Sequence, residues 1–146
     1  MYKIEQVLGE DILLRYKEIK IELERALKYS SGEWTPSQIV TRAISEPHLF
    51  QIWEILEDDS VIGIGSTRVM QYNNFIALHI ITLGSKNIYD EMPNLITIFE
   101  NIVKEYEIID VLEYTGRRGF IKQLSTVGWE EKYTTMRKSL KENLDV

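Results

Sequence analysis

The chain has 146 residues, no cysteine and a formal net charge of −6 at pH 7. The lack of cysteine excludes disulfides, thiolate metal sites and a cysteine nucleophile, and the acidic balance argues against a nucleic-acid backbone as the main partner. With 44% hydrophobic and 27% charged residues, the composition is that of a single globular domain over residues 1–146.

The N-terminal part is predicted to be mainly helical. Over residues 10–29, apolar residues recur at spacings of three and four, which predicts one amphipathic helix. Thr35, Pro36 and Gln38 then match the N-cap, the first helical position and the third position of a capping box. They predict a second, short helix that ends before Pro47, because the residue before a proline disfavours helical backbone.

Three strands are predicted next, over residues 48–56, 61–72 and 75–83. Asn73 and Asn74 between the last two indicate a tight hairpin turn. Gly63 and Gly65 indicate a β-bulge or a close approach of two backbones. The third strand is apolar on both faces, which predicts a central strand that is covered on both sides.

Helices and strands alternate in the C-terminal half. The predicted elements are a helix over 90–106, a strand over 108–114, a helix over 118–128 and a final strand over 129–140. The predicted order is therefore α-α-β-β-β-α-β-α-β. Since a β-α-β crossover places its two strands parallel and near each other, we expect an α/β (α+β) fold whose sheet is mixed, mainly antiparallel and covered by helices on both faces.

Several short motifs carry a resemblance to a known family. They are Gln51-Ile52-Trp53, Leu83-Gly84, Gly116-Arg117-Arg118-Gly119-Phe120, Leu124 and Gly128-Trp129. Together with the element order, they resemble the GNAT superfamily of acyl-CoA-dependent N-acetyltransferases, and within it the small GNAT-like proteins of tailed bacteriophages and prophages. The resemblance covers residues 34–140 of a single GNAT-like domain, between an N-terminal helical part over 1–33 and a tail over 141–146.

The resemblance implies that acetyl-CoA is the cofactor and that it binds after the central strand. GNAT enzymes hold the pyrophosphate with backbone N–H groups of a glycine-rich loop that leads into a helix N-terminus. The residues expected to bind the cofactor here are Ile81, Leu83, Gly84, Ser85, Lys86, Asn87, Arg117 and Arg118. The loop departs from the family pattern, because it has one glycine and because Asp90 and Glu91 bring negative charge to the place of the pyrophosphate. An ordinary capped loop is the alternative interpretation.

Two adjacent arginines, Arg117 and Arg118, lie where the fourth predicted strand gives way to a helix. Cations at a helix N-terminus are electrostatically unfavourable unless an anion is near. The pair is therefore predicted to bind a phosphate of the cofactor, a carboxylate of the substrate or an acidic patch of a partner. The alternative is an ion pair with the nearby Asp110 or Glu113.

Acetyl transfer needs a base for the amine and an acid for the leaving thiolate. His79 lies in the middle of the central strand, and an imidazole with a pKa near its usual value of about 6.5 suits a base at physiological pH. A histidine whose nitrogens are both satisfied in the core is the alternative, and Glu54 is a second candidate base. Tyr114 or Tyr133 is the expected acid, since the last predicted helix carries Phe120 where the family has a tyrosine.

The sequence thus predicts a phage-type, acetyl-CoA-dependent N-acetyltransferase that acts on a small-molecule or protein amine. The alternative is a catalytically inactive GNAT-fold protein that binds a phage or host protein or contributes to virion assembly. Two histidines and scattered acids give no metal-ligand spacing, so no metal is expected. The N-terminus lacks the pattern of a signal peptide and no apolar run reaches about 18 residues. We therefore expect no membrane partner and a cytoplasmic location, the host cytoplasm or the virion if a phage encodes the chain.

Overall fold

The computed structural model describes residues 1–28, 32–85, 88–116 and 118–142. In these ranges the chain forms, in order, β1 (Tyr2–Val7), α1 (Gly9–Leu14), α2 (Tyr16–Leu27), α3 (Pro36–Ser45), β2 (Phe50–Glu57), β3 (Ser60–Gln71), β4 (Ile76–Ser85), α4 (Ile88–Val103), β5 (Val111–Tyr114) and α5 (Phe120–Ser125). None of the helices found there has the length and apolar character that crossing a bilayer requires.

The five strands form one sheet in the order β1-β2-β3-β4-β5. The first four strands pair antiparallel with their neighbours, whereas β5 pairs parallel with β4. Helix α4 connects these two parallel strands, which cannot be joined by a tight turn. The predicted mixed and mainly antiparallel sheet is therefore confirmed.

Helices cover both faces of the sheet, and each face has its own hydrophobic core. On the face covered by α4 and α5, the core includes Trp53, Ile80, Leu95, Phe99 and Phe120. On the face covered by α1, α2 and α3, it includes Ile12, Ile19, Leu23, Ile39 and Ile52. We call these two sides of the sheet the α4–α5 face and the α1–α3 face.

The capping box at the start of α3 is confirmed. The backbone N–H of Gln38 donates to Thr35 Oγ1 over 3.2 Å, and the backbone N–H of Thr35 donates to Gln38 Oε1 over 2.9 Å. Two otherwise unpaired donors at the helix end are thereby satisfied. Pro36 occupies the first helical position, where its missing N–H costs nothing.

The prediction for the N-terminal part is wrong in two respects. The segment before residue 10 forms a strand, β1, whose alternating burial matches a half-covered strand at a sheet edge. The single helix expected over 10–29 is two helices, since Arg15 leaves the helical conformation with φ −109° and ψ 20°. Its guanidinium instead reaches across to Glu54 on β2, with Nη1 2.5 Å from Oε2.

The final strand predicted over 129–140 is also wrong. No strand forms after α5 in the described part of the chain, and residues 130–138 are exposed. Side chains anchor this tail in place of a backbone ladder: Trp129 Nε1 donates to Glu100 Oε1 over 2.9 Å, and Arg137 Nη2 lies 2.6 Å from Glu33 Oε1. Trp129 packs on the α4–α5 face. Glu33 is next in sequence to Trp34, which packs on the α1–α3 face. The tail therefore passes from one face to the other instead of running along β5.

Candidate active site

A fork opens between β4 and β5. Only residues 77–80 of β4 pair with β5, whereas β3 accompanies β4 as far as Ser85. At the end of the paired part, Ser66 of β3 faces Thr82 and Thr67 faces Ile80, so that Ile81 is an extra residue in β4. Such a β-bulge bends and twists its strand. The bulge at Ile81 therefore lies where β4 leaves β5.

Four of the predicted cofactor-binding residues, Ile81, Leu83, Gly84 and Ser85, lie on the β4 segment beyond the fork. Leu83 packs toward the α4–α5 core, and Ile81 toward the α1–α3 core. Among the described residues, no strand pairs with the β5 side of this segment. Extended backbone at this edge is thus accessible to a ligand that pairs as a strand does.

Of the other predicted cofactor-binding residues, Arg118 is exposed just before α5, and Lys86, Asn87 and Arg117 lie outside the described residues. The predicted alternative for Arg118, an ion pair with Asp110 or Glu113, does not form. Asp110 Oδ2 accepts from the backbone N–H of Ile76 over 2.9 Å, and Glu113 contacts other partners.

Gly63 holds the end of β4 close to β3, which confirms the predicted close approach of two backbones. A Cβ atom at this position would collide with the carbonyl oxygen of Gly84 and would lie 2.7 Å from Ser85 Cβ. A side chain here would therefore push the C-terminal end of β4 away from β3.

A row of four side chains crosses the sheet beside the fork. Phe50, Arg68, His79 and Glu113 are register partners on β2, β3, β4 and β5. Register partners on adjacent strands project from the same face. Trp34, which packs against the α1–α3 core, contacts Phe50 with ring centroids 5.8 Å apart. The whole row therefore lies on the α1–α3 face.

His79 and Glu113 form a hydrogen-bonded pair at the centre of the candidate site. His79 Nδ1 lies 2.7 Å from Glu113 Oε1, and their side chains are only 14% and 21% exposed. An ionised carboxylate accepts hydrogen bonds and donates none, so Nδ1–H is the donor when Glu113 is ionised, and a neutral ring then has its lone pair on Nε2. In that tautomer Nε2 is the nitrogen that would accept a proton from a substrate.

Tyr72 and Tyr133 extend this pair. The Tyr72 hydroxyl donates to Glu113 Oε1 over 2.7 Å. That hydrogen bond, followed by burial and the charge of Glu113, raises the pKa of Tyr72 to about 12, and the neighbouring Tyr133 adds to the effect. Tyr72 therefore stays protonated at neutral pH and acts as a support for Glu113. Tyr133 is 68% exposed at the outer end of the cluster.

Tyr114 lies at the fork but on the opposite face. It ends β5 directly opposite Ile80, and its ring centroid is 5.9 Å from that of Phe120 in the α4–α5 core. The structure thus brings His79 and Tyr133 together through Glu113 and Tyr72. It separates both from Tyr114 by the thickness of the sheet.

A small cavity of about 30 Å³ adjoins the fork within the α4–α5 core. Its lining includes Ile80, Thr82, Leu83 and Phe99. Ligand pockets are typically about 300–1,000 Å³, so this cavity is too small to be the cofactor site. The open side of β4 is the better place for an extended ligand.

The acids near the start of α4 differ in their surroundings. Burial and the charges of Glu57 and Glu91 raise the pKa of Tyr2, because Glu91 lies beside the Tyr2 hydroxyl on β1. Asp90 is exposed. The Tyr89 ring stacks at 6.4 Å from that of Phe120. Asp90 and Glu91 were predicted to oppose a pyrophosphate. Of the two, Glu91 interacts with the Tyr2 hydroxyl on β1.

Comparison with solved structures identifies the fold. An aminoglycoside acetyltransferase from an uncultured soil metagenomic sample, in complex with sisomicin, matches with a TM-score of 0.67 and 16% identity over 96% of this chain and 97% of that chain. A GNAT family acetyltransferase of Staphylococcus aureus matches with a TM-score of 0.61, 11% identity and coverage of 95% and 98%. The fold is that of the GNAT acetyltransferases.

A third solved structure also resembles this chain. The ribosomal-protein-alanine N-acetyltransferase of Brucella melitensis biovar Abortus aligns with a TM-score of 0.65, 9% identity and coverage of 96% of this chain and 100% of that one. No protein-family model matches the sequence, and no curated protein is similar to it. The structural matches therefore confirm the GNAT fold that the sequence motifs predicted, whereas the phage association stays a prediction.

Sequence reasoning missed three residues of this GNAT-fold site: Arg68, Tyr72 and Glu113. A signal for Glu113 was present, because it is a charged residue in an otherwise apolar strand that was predicted to run parallel to the strand of His79. No comparable signal pointed to Tyr72, whose role depends on where β3 ends. Glu54, the second candidate base, is only 15% exposed and is occupied by Arg15.

Proposed function

We propose that the protein is an acetyl-CoA-dependent N-acetyltransferase whose reaction takes place at the fork between β4 and β5. The observation that carries the proposal is the His79–Glu113 pair, which lies two residues before the bulge at Ile81. A base with an orienting carboxylate next to an opening in a GNAT-fold sheet is the minimum that acyl transfer to an amine requires.

The residues around the fork fit acetyl-CoA. The β4 backbone from Ile81 to Gly84 has no strand partner on its β5 side among the described residues, and an extended pantetheine arm would pair there. Leu83 and Gly84 belong to this segment. The proposed contacts of the phosphates are Arg118 and three residues outside the described ranges, Lys86, Asn87 and Arg117. Acetyl-CoA would supply an acetyl group activated as a thioester.

His79 is the proposed base. Its Nε2 accepts a proton from the amine as the new C–N bond forms, and Glu113 stabilises the imidazolium through Nδ1–H. The Tyr72 hydroxyl holds Glu113 in place from the other side. The amine therefore approaches from the α1–α3 face.

Tyr114 is the proposed acid. Its position at the end of β5 on the α4–α5 face suits proton donation to the thiolate as the C–S bond breaks. Tyr133 is the second choice, since its exposed position beside Tyr72 puts it on the side of the amine. The acceptors named for the related folds, an aminoglycoside and a ribosomal-protein alanine, support an amine of a small molecule or of a protein.

An inactive binding protein, with the phage association that the sequence resemblance implied, is the second candidate. It is favoured by Tyr89, which stacks on Phe120 at the first turn of α4, where GNAT enzymes hold the pyrophosphate. This candidate predicts no cofactor binding and no turnover.

The test combines binding and turnover. Wild type, His79→Gln and the matched control His48→Gln, whose histidine is exposed at the surface, are titrated calorimetrically with acetyl-CoA and assayed for CoA release with a panel of amines. We expect micromolar binding in all three proteins and a loss of about 10²–10⁴-fold in kcat for His79→Gln only. No binding of the wild type at millimolar acetyl-CoA would exclude the enzyme and favour the binding protein.

A further inference from the structure

Arg68, in the candidate active site, has no counter-ion among the residues that the structure describes. It is half-buried on β3, directly beside His79 in the row that crosses the sheet. Its guanidinium carbon lies 5.2 Å from the centre of the Trp34 ring. Its Nε is buried and has no hydrogen-bond acceptor.

Other arginines of the chain show that this is unusual. Arg15 lies 2.5 Å from Glu54 and Arg42 lies 2.8 Å from Glu46. Arg42 also stacks over an aromatic ring, that of Phe50, at 5.1 Å. Both guanidiniums lie over an aromatic ring, but Arg42 is exposed and has a carboxylate, whereas Arg68 is half-buried. Within the part of the chain that the structure describes, no acidic side chain comes within ion-pair distance of Arg68.

A buried guanidinium N–H without an acceptor is costly, and native proteins retain such groups mainly where something else completes the hydrogen bond. Arginine binds carboxylates through two parallel hydrogen bonds. The guanidinium lies over the Trp34 ring, a cation–π contact that holds it beside His79. Nε itself is enclosed, so the terminal N–H groups of the guanidinium are the ones expected to bind a ligand that enters the site.

We propose that Arg68 binds a carboxylate of the acceptor substrate, so that the acceptor is an amine that also carries a carboxylate group. The inference rests on the proposed function, because it places the amine at His79. Side chains of register partners have Cβ atoms about 4.5–5.5 Å apart. An amino group at His79 and a carboxylate at Arg68 are thus separated by about one strand spacing, as in a short amino acid whose amine and carboxylate are several bonds apart.

The charges of the row favour this assignment over other ligands. Reading across the sheet, the cation Arg68, the base His79 and the anion Glu113 follow one another. A zwitterion with its amine toward Glu113 and its carboxylate toward Arg68 complements both ends. A polyamine would place a positive charge against Arg68. A phosphate would bring two negative charges to a single guanidinium near Glu113.

The first experiment measures binding without turnover. Wild type, Arg68→Gln and the matched control Arg42→Gln are titrated with 4-aminobutyrate and with its amide, in the presence of CoA. We expect the carboxylate probe to bind wild type and Arg42→Gln at least 10-fold more tightly than the amide. Arg68→Gln is expected to bind the two probes equally. Equal binding of both probes to the wild type, or no binding of either, would overturn the proposal.

The second experiment measures CoA release from acetyl-CoA with the same probes, and with a phosphate-bearing amine and a polyamine. We expect Arg68→Gln to lower kcat/KM for the carboxylate probe by about 10–100-fold and to leave the amide unchanged. Three outcomes would overturn the proposal. An equal loss for every amine would assign Arg68 a structural role, and a weaker acetyl-CoA affinity would assign it to cofactor binding. A preference for the phosphate-bearing amine or the polyamine would contradict the proposed substrate class. Arg68-dependent carboxylate binding without any CoA release would refute the proposed function alone.

Discussion

The two faces of the sheet differ in chemistry at the fork. On the α1–α3 face, Tyr72 and His79 share the carboxylate of Glu113, with Arg68 beside them. On the α4–α5 face, Tyr114 packs with Phe120 against an apolar core. One face thus carries the hydrogen-bonded polar groups at the fork, and the other carries an apolar core. The comparison teaches that in this fold a single break in strand pairing is enough to join a polar site and an apolar one.

The largest expected effect comes from breaking the polar face. Glu113→Gln removes the charge that stabilises the His79 imidazolium, and its amide N–H can stabilise the wrong imidazole tautomer. We expect kcat for CoA release to fall by about 10²–10⁴-fold, with the affinity for acetyl-CoA unchanged. An equal fall after Glu105→Gln, at an exposed residue beyond the end of α4, would show that the effect is not specific to the site.

The apolar face is tested through Phe120, which is 1% exposed and contacts both Tyr89 and Tyr114. Truncation to alanine leaves a cavity beneath a helix of only six residues. Phe120→Ala is expected to lower the free energy of unfolding by about 3–5 kcal/mol, as measured by urea denaturation. The control Ile121→Ala, at a residue that is 40% exposed, should change it far less. Similar losses for both would argue that α5 does not pack as described.

The opening itself is tested through Gly63. Gly63→Ala places a Cβ against the backbone of Gly84, which is expected to cost about 1–3 kcal/mol of stability and to displace the C-terminal end of β4. Acetyl-CoA affinity should fall with it. Gly9→Ala is the control, because nothing lies within 4 Å of a Cβ at that position. Unchanged cofactor affinity in Gly63→Ala would separate the end of β4 from the binding site.

The smallest effect concerns Tyr72 at alkaline pH. Its pKa is raised to about 12 by the hydrogen bond to Glu113, by burial and by the charge of that carboxylate, so the neutral hydroxyl is favoured in the folded protein. The stability from this bond, about 1 kcal/mol, is present in full below pH 10, the ordinary tyrosine pKa. It is lost as pH rises from about 10 to about 12.

The pH dependence of unfolding in urea measures this contribution. The difference in stability between wild type and Tyr72→Phe is expected to shrink between pH 10 and pH 12. The control Tyr106→Phe, at a residue that is 44% exposed, should show no such change. A difference for Tyr72→Phe that stays constant with pH would mean that the hydroxyl does not donate to Glu113.

The central sheet could be predicted from the sequence because its signals are local. The strand 75–83 is apolar on both faces, and the β-α-β unit that follows it implies a parallel neighbour. The capping box of Thr35 and Gln38 likewise depends on four consecutive residues. These features appear in the structure within a few residues of where the sequence predicted them.

The edges and the site could not be predicted, since they depend on long-range pairing. β1 exists through its register with β2, and the tail after Trp129 is directed by contacts with Glu100 and Glu33 rather than by its strand-like sequence. The site was predicted one residue at a time. The role of base proposed for His79 depends on the register of the sheet, which places Glu113 on one side of it and Arg68 on the other.

The most direct test of the account is a map of backbone amide chemical-shift changes in ¹⁵N-labelled protein on addition of acetyl-CoA. The account predicts that the largest changes fall on β4 beyond Ile80, on Tyr114 and on the first turn of α4, with smaller changes at His79 and Glu113. Changes confined to another surface, or none at millimolar acetyl-CoA, would contradict the claim that the fork between β4 and β5 is the acetyl-transfer site.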